Sequence, residues 1–265
     1  MDKALLAIGG GVGPMAGTLL HQKIIENTQA TGDSDHFKLV HISRPISDRT
    51  QFLLDETSGL INPAEGMFET LLAARSAVST LDGNRMIFGV PCNTFHSPKI
   101  FSQFLKLVKA LDGEPDISVI NMIEEVGAYI KANYPEAKKI GLMSTTGTRN
   151  TRVYHNTLES NGLEVVEVPE TTQAELHDSI YNPEWGIKAM GNISENDQAR
   201  KNFLSYSDTL NKLGAHVIVL GCTEIPIALP ESIFRGTPLI DPMHVLARAM
   251  IRSISIEKLK AVLTI

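Results

Sequence analysis

Two pseudo-symmetric, doubly wound α/β domains with mainly parallel sheets are predicted by three features of this sequence. Short β-rich runs alternate with longer helical stretches along the chain, the pattern of βα units. Most of the runs are nearly continuous in apolar residues, which suits strands covered on both faces in a parallel sheet. The chain also repeats itself once. A strand running into a glycine loop that ends at Gly13 has its counterpart in a strand running into a polar loop with Gly147. A cysteine follows each at nearly the same distance, Cys92 and Cys222, just past an apolar strand. Ligands of open α/β sheets bind outside the carboxyl ends of the strands. The repeat therefore predicts an active site in the cleft between the two domains.

The strand candidates lie at 4–8, 37–42, 85–90, 117–121, 139–143, 164–168 and 217–220, with a short one near 238–240. Helical patterns fill the intervals at 15–28, 63–79, 98–111, 123–134, 150–161, 196–213 and 242–263. Several open on start signals, such as Asn62 followed by Pro63 at the first helical position. The segment 112–116, with Gly113 and Pro115, reads as a loop and puts a domain boundary near 115–125. The expected division is 1–118 plus 241–265 as the first domain, completed by a returning C-terminal helix, and 119–240 as the second. A length of 265 residues suits two domains of ordinary size.

Composition narrows the function classes. With 43% apolar and 20% charged residues, the chain can build a full core and is too apolar for disorder. Thirty acidic residues against 24 Lys and Arg leave a net charge of −6, the wrong sign for a nucleic-acid binder. A small anionic substrate is still compatible, since one or two local cations hold it. The first apolar run, 4–8, is too short for a secretory leader, and no run approaches the roughly 18 apolar residues of a membrane helix. A cytoplasmic protein without membrane or nucleic-acid partners is expected. Two cysteines are too few for a disulfide scaffold, and no C-x-x-C pair suggests zinc or thioredoxin chemistry.

The two cysteine motifs, Val90-Pro91-Cys92-Asn93-Thr94 and Leu220-Gly221-Cys222-Thr223-Glu224, share an order: apolar strand, Cys, then hydroxyl or amide. A free Cys is most often a small buried hydrophobe. Two at matching positions of two half-repeats point instead to paired chemistry. A thiol at a helix N-terminus is expected to have a lowered pKa, and Asn93, Thr94 and Thr223 supply donors for a carboxylate.

The stretches GGGVGPMAG at 9–17, PISDRT at 45–50, PCNTFH at 91–96 and GCTEIP at 221–226 resemble the aspartate/glutamate racemase family, closest to its aspartate racemase branch. The resemblance covers nearly the whole chain. It implies a cofactor-independent isomerase of two pseudo-symmetric α/β domains, with Cys92 and Cys222 as the catalytic pair facing each other across a dicarboxylic amino acid. Inverting an amino-acid Cα requires taking a proton from one face and returning one to the other, which two such thiols can do, one as thiolate and one as thiol. It also implies that Arg49 contacts the substrate's side-chain carboxylate, a task suited to its two-pronged guanidinium. Lys188 is a second cation candidate, in a stretch from Ile180 and Tyr181 that resembles the family's Ile-Tyr…Lys-Ala-Gly. This chain departs from that pattern by extra residues before Lys188 and by Met190 before Gly191. A homodimer is expected.

Each further residue has a rival reading. Gly11-x-Gly13-x-x-Ala16 matches a dinucleotide fingerprint. The strand at 37–42, however, ends in Ser43-Arg44 without the acid that would bind a ribose. In the racemase reading this loop, with Gly13 and Met15, brings backbone N–H groups to a carboxylate at a helix N-terminus. Thr145, Thr146 and Thr148 form a second donor set, equally readable as helix capping. Glu224 either orients an ammonium, assists the Cys222 thiol, or is an acid favoured at a helix start. His96 shares a helical face with Cys92 and is equally a packing residue. No metal or phosphate-cofactor motif is present, so no cofactor is expected. The alternatives within the same fold are a glutamate or broad-specificity racemase, a maleate isomerase or a malonate-type decarboxylase. A non-catalytic amino-acid-binding protein and a dinucleotide-binding oxidoreductase lie further off.

Overall fold

A computed structural model describes residues 3–113, 115–190, 194 and 197–261. In chain order the elements of the first half are β1 (Ala4–Gly10), α1 (Pro14–Asn27), β2 (Leu39–Ser43), α2 (Arg49–Leu54), α3 (Pro63–Thr80), β3 (Arg85–Gly89), α4 (Pro98–Lys109) and β4 (Asp116–Val119). There follow α5 (Met122–Asn133), β5 (Lys139–Ser144), α6 (Thr146–Asn150), α7 (Val153–Ser160), β6 (Glu164–Glu167), α8 (Glu170–Tyr181), α9 (Ile187–Met190) and α10 (Gln198–Lys212). The chain closes with β7 (Val217–Gly221), α11 (Ile225–Ala228), β8 (Ile233–Phe234), β9 (Thr237–Ile240) and α12 (Pro242–Ile254).

Two sheets result, ordered β2-β1-β3-β4 and β6-β5-β7-β9-β8. All pairings are parallel except β8 with β9. The two orders repeat one scheme: the first strand of each half lies between its second and its third. Ile8 pairs with Gly89 and Ser144 with Gly221. The loops that follow β1 and β3, and those that follow β5 and β7, thus emerge side by side.

The inner strands β1, β3, β5 and β7 are almost wholly apolar and buried because both faces are covered, whereas β2, β4 and β6 at the sheet edges carry polar residues such as His41, Ser118 and Glu167 and are only partly buried. Every residue of β7 is buried. One core cluster joins Leu6, Ile8 and Ile87 of the first sheet to Ile140, Leu142 and Val219 of the second, through side chains of α1, α5, α7 and α12. The outer face of the second sheet packs on α8 and α10, and that of the first on α3 and α4. Helix starts follow the sequence signals. Asn62, Asn121 and Asp241 each accept a hydrogen bond from a first-turn N–H, and Pro63, Pro98 and Pro242 fill first-turn positions.

Several expected elements differ. The helix expected at 150–161 starts later, as α7 at Val153, just after Arg152 at φ 50°; α6 lies ahead of it and shares only Asn150 with the expected span. The C-terminal helix ends at Ile254, and Leu259 then bridges back to Thr28; residues 262–263 of the expected span lie outside the described residues, as do Asn196 and Gly191. Six short or weakly patterned elements escape sequence reading: α2, α6, α8, α9, α11 and β8. Among the described residues no helix is long and apolar enough to cross a membrane.

Candidate active site

The carboxyl edges of the two sheets meet at one pocket. Its walls are Val12, Arg49, Cys92, Asn93, Thr94 and Thr145 together with Tyr181, Lys188, Cys222, Thr223 and Glu224. Cys92 follows β3 and Cys222 follows β7, the corresponding strands of the two sheets. Both are free thiols, buried to 6% exposure.

The loop after Cys92 is anchored from behind. His96 is buried, and burial pushes its pKa down to about 4, so the ring is neutral. The Met122 N–H donates to Nε2 at 3.3 Å, so the ring proton sits on Nδ1 and is donated to the Cys92 carbonyl at 2.8 Å. His96 thus holds the backbone of the cysteine loop and does not face the pocket. The residues after Cys92 are gripped across the cleft. Thr94 Oγ1 lies 2.9 Å from Thr148 Oγ1 and 3.4 Å from Thr145 Oγ1. The Tyr154 hydroxyl, from α7, donates to Asn93 Oδ1.

Around Cys222 the polar groups form a chain. Lys188 Nζ donates to Glu224 Oε1 at 2.5 Å. Cys222 Sγ and Thr223 Oγ1 donate to Glu224 Oε2 at 3.1 and 3.0 Å. Burial, and then the Glu224 charge, hold the Cys222 thiol well above its ordinary range. This reverses the expectation of a lowered thiol. The helix beyond Cys222, α11, has only four residues, and a carboxylate in contact outweighs so short a dipole. Burial raises the Glu224 carboxyl, but Lys188 and the three donated hydrogen bonds outweigh it and keep the acid ionised. Lys188 is correspondingly held charged: burial lowers it, while Glu224, Cys222 and Tyr181 raise it further. Its Nζ also lies 5.4 Å over the Tyr181 ring.

Arg49 opens α2 and is not on a loop as expected; Asp48 caps that helix by accepting from the Gln51 N–H at 2.7 Å. Burial lowers the guanidinium pKa, but Cys92, Tyr181 and Asp48 together raise it above its ordinary value. Its Nε is buried without a partner, as is Asn93 Nδ2. Two unpaired donors at one side of a pocket are a costly arrangement unless an anion takes them.

Four expected residues stand off the walls. Met15 is 43% exposed, in the first turn of α1 on the solvent side. Thr146 is turned to α8, its N–H donating to His177 Nδ1 at 3.3 Å. Thr148 supports Thr94 and Thr145 from behind. Gly13 (φ 102°) acts through the side chain it lacks, since a Cβ there would lie 2.2 Å from Glu224 Oε1. Thr145 caps α6 by accepting from the Thr148 N–H and also lines the pocket. Sequence reading missed the pocket roles of Val12 and Tyr181. Their only signals were a place within the glycine loop and the Ile-Tyr pair ahead of Lys188.

The family model for Asp/Glu/Hydantoin racemase matches residues 10–250. The fold is similar to that of the Picrophilus torridus aspartate racemase, at 23% identity over 95% of this chain and 94% of that one, with a TM-score of 0.71. It is also similar to a putative Asp/Glu racemase from Yersinia pestis, at 20% identity over 95% and 98%, with a TM-score of 0.68. An aspartate racemase homologue from Pyrococcus horikoshii OT3 shares 23% identity over 96% and 100%, with a TM-score of 0.65.

Proposed function

The chain belongs to the Asp/Glu/Hydantoin racemase family, and on that premise we propose that it is a cofactor-independent amino-acid racemase with aspartate as its preferred substrate. One observation carries the reading. Two buried thiols at corresponding positions of two repeated sheets line a single pocket that also holds Arg49 and Lys188. The domains that bring them together are taken as 1–118 with 241–265, and 119–240.

The two sides of the pocket are not equivalent. Cys222, beside the ionised Glu224, is the protonated member and donates to one face of Cα. Cys92, beside the Arg49 guanidinium, takes the proton from the other face as thiolate. In the reverse direction the roles exchange. The thiols stand on different domains because one base cannot reach both faces of a tetrahedral carbon.

The α-carboxylate is assigned to Asn93, Thr94 and Thr223, and the side-chain carboxylate to Arg49, whose unpaired Nε awaits an acceptor. Lys188 is already paired with Glu224, so its attraction for a second carboxylate is shared. The cavity encloses about 10 Å³, room for about one water. Its walls must therefore shift to admit an amino acid; a parting of the two halves would do this and would desolvate the substrate on closing.

The test is incubation with L- and D-aspartate and glutamate in D2O, following the α-proton by NMR. Deuterium should appear at Cα of aspartate, with formation of the opposite enantiomer. Tight binding of aspartate without α-exchange would make the protein a binding module.

A further inference from the structure

Asn93, like Arg49, leaves a buried donor of the pocket unpaired, but its amide is half engaged. It is buried to 2% exposure. One end of its amide, Oδ1, accepts from Tyr154, while the other, Nδ2, has no partner. Tyr154 belongs to α7, beyond the second sheet's first strand, and is itself fully buried. Its hydroxyl therefore reaches Asn93 from the opposite half of the molecule. We infer that Tyr154 is a positioning residue: by donating to Oδ1 it fixes the Asn93 amide with Nδ2 presented to the substrate carboxylate.

An amide can sit either way round in a given slot. In the reversed orientation Oδ1 would face the pocket and repel a carboxylate, and Nδ2 would face the Tyr154 hydroxyl. That hydroxyl must place its own proton. Among the described residues Asn93 Oδ1 is its only partner, so the reversed amide would leave the proton buried and unpaired. Burial, then the charges of Asp241 and Cys222, hold the phenol well above its ordinary range, so it is a donor at every working pH. The neighbouring side chain is secured in the same way, since Thr94 Oγ1 is held by Thr148 from α6. Both residues after Cys92 are thus aligned by the far half, and the carboxylate site is complete only when the halves are together.

This inference rests on the racemase reading, and its test separates the two. KM and kcat for aspartate are measured for the parent, Tyr154→Phe, Asn93→Ala and the double variant, with thermal melting as the structural control. Tyr154→Phe keeps the ring and its packing. It should raise KM roughly tenfold, the effect of one hydrogen bond to a charged group, while kcat changes little. In the Asn93→Ala background the same change should add nothing to KM, because no amide is left to orient. A Tyr154→Phe variant with the parent's KM, or a KM rise that persists without Asn93, overturns the inference. Should Tyr154→Phe fold poorly, Asn93→Asp keeps the shape and the Tyr154 contact but puts an acceptor where Nδ2 donates. It should raise KM by roughly a hundredfold or more, and an unchanged KM would equally overturn the proposal. A parent that neither exchanges nor binds aspartate removes the proposed function, and this inference with it.

Discussion

Replacing Glu224 by Gln should make Cys222 markedly more reactive toward alkylation while destabilising the fold. The carboxylate lies 3.1 Å from the Cys222 sulfur and 2.5 Å from Lys188 Nζ. Two like charges about 4 Å apart repel by about 4 kcal/mol at the effective dielectric that suits protein sites. Glutamine keeps the volume and removes that repulsion. Lys188 loses its partner at the same time and turns its charge toward the thiolate, which acts in the same direction. A net gain of only 1.4 kcal/mol for the thiolate multiplies its population tenfold. Iodoacetamide labelling of Cys222 at pH 8, read by mass spectrometry with Cys92 as the internal reference, should therefore accelerate at least tenfold.

Stability moves the other way. Leaving one member of a buried ion pair unpartnered costs about 3–5 kcal/mol. The lower end is expected, because Lys188 keeps the Tyr181 ring. The Glu224 pKa is depressed in the folded protein, so its contribution is present above the ordinary carboxylate pKa and is lost as pH falls through the folded value. The parent's stability should accordingly fall faster in acid than the variant's. A Cys222 labelling rate equal to the parent's would show that Glu224 does not hold the thiol protonated.

Cys92→Ser and Cys222→Ser should each abolish racemisation, since the proposed two-base mechanism gives each thiol one face of Cα; chiral chromatography of the product decides this, and near-normal turnover by either variant would end the two-base model. Arg49→Ala should lose about 2–5 kcal/mol of aspartate binding, the cost of depriving a buried carboxylate of its charged partner. Arg49→Lys should recover only part, and alanine should be a poor substrate for the parent; comparable turnover of alanine and aspartate would refute the specificity. Activity should survive EDTA and dialysis, and a requirement for added pyridoxal phosphate would contradict the cofactor-free mechanism. His96 is neutral in the folded state with a pKa of about 4, below its unfolded value, so it contributes stability above pH 6.5 that is lost as pH falls toward 4. With a depression of this size the loss is roughly 3 kcal/mol. His96→Gln should flatten that stretch of the melting-temperature profile, and an unchanged slope would place the acid sensitivity elsewhere.

Alternating apolar runs were enough to place eight of the strands and the longer helices, because burial on both faces writes itself into consecutive residues such as Val217 to Leu220. The paired Cys motifs were legible for a related reason. A repeat of strand, loop and cysteine is linear information, and parallel pairing turns it into spatial correspondence, as Ile8 with Gly89 and Ser144 with Gly221 show. Short helices such as α2 and α11 were not legible, since four to six residues span too few turns to show a period. Arg49 therefore read as a loop residue, although it opens α2 and lines the pocket.

Charge states belong to the tertiary structure alone. Cys222 and Glu224 are two residues apart in the sequence, which permits contact without fixing its sign. Complete burial, and a carboxylate that Lys188 keeps ionised, decide that the thiol is protonated. Tyr154 and Asn93 are 61 positions apart, and nothing local in either segment announces the other. Only the packing of α7 against the first half brings them together. The chain order thus determines which strand ends carry the two cysteines; the packing of one half on the other determines which protons those ends hold and which way their donors face.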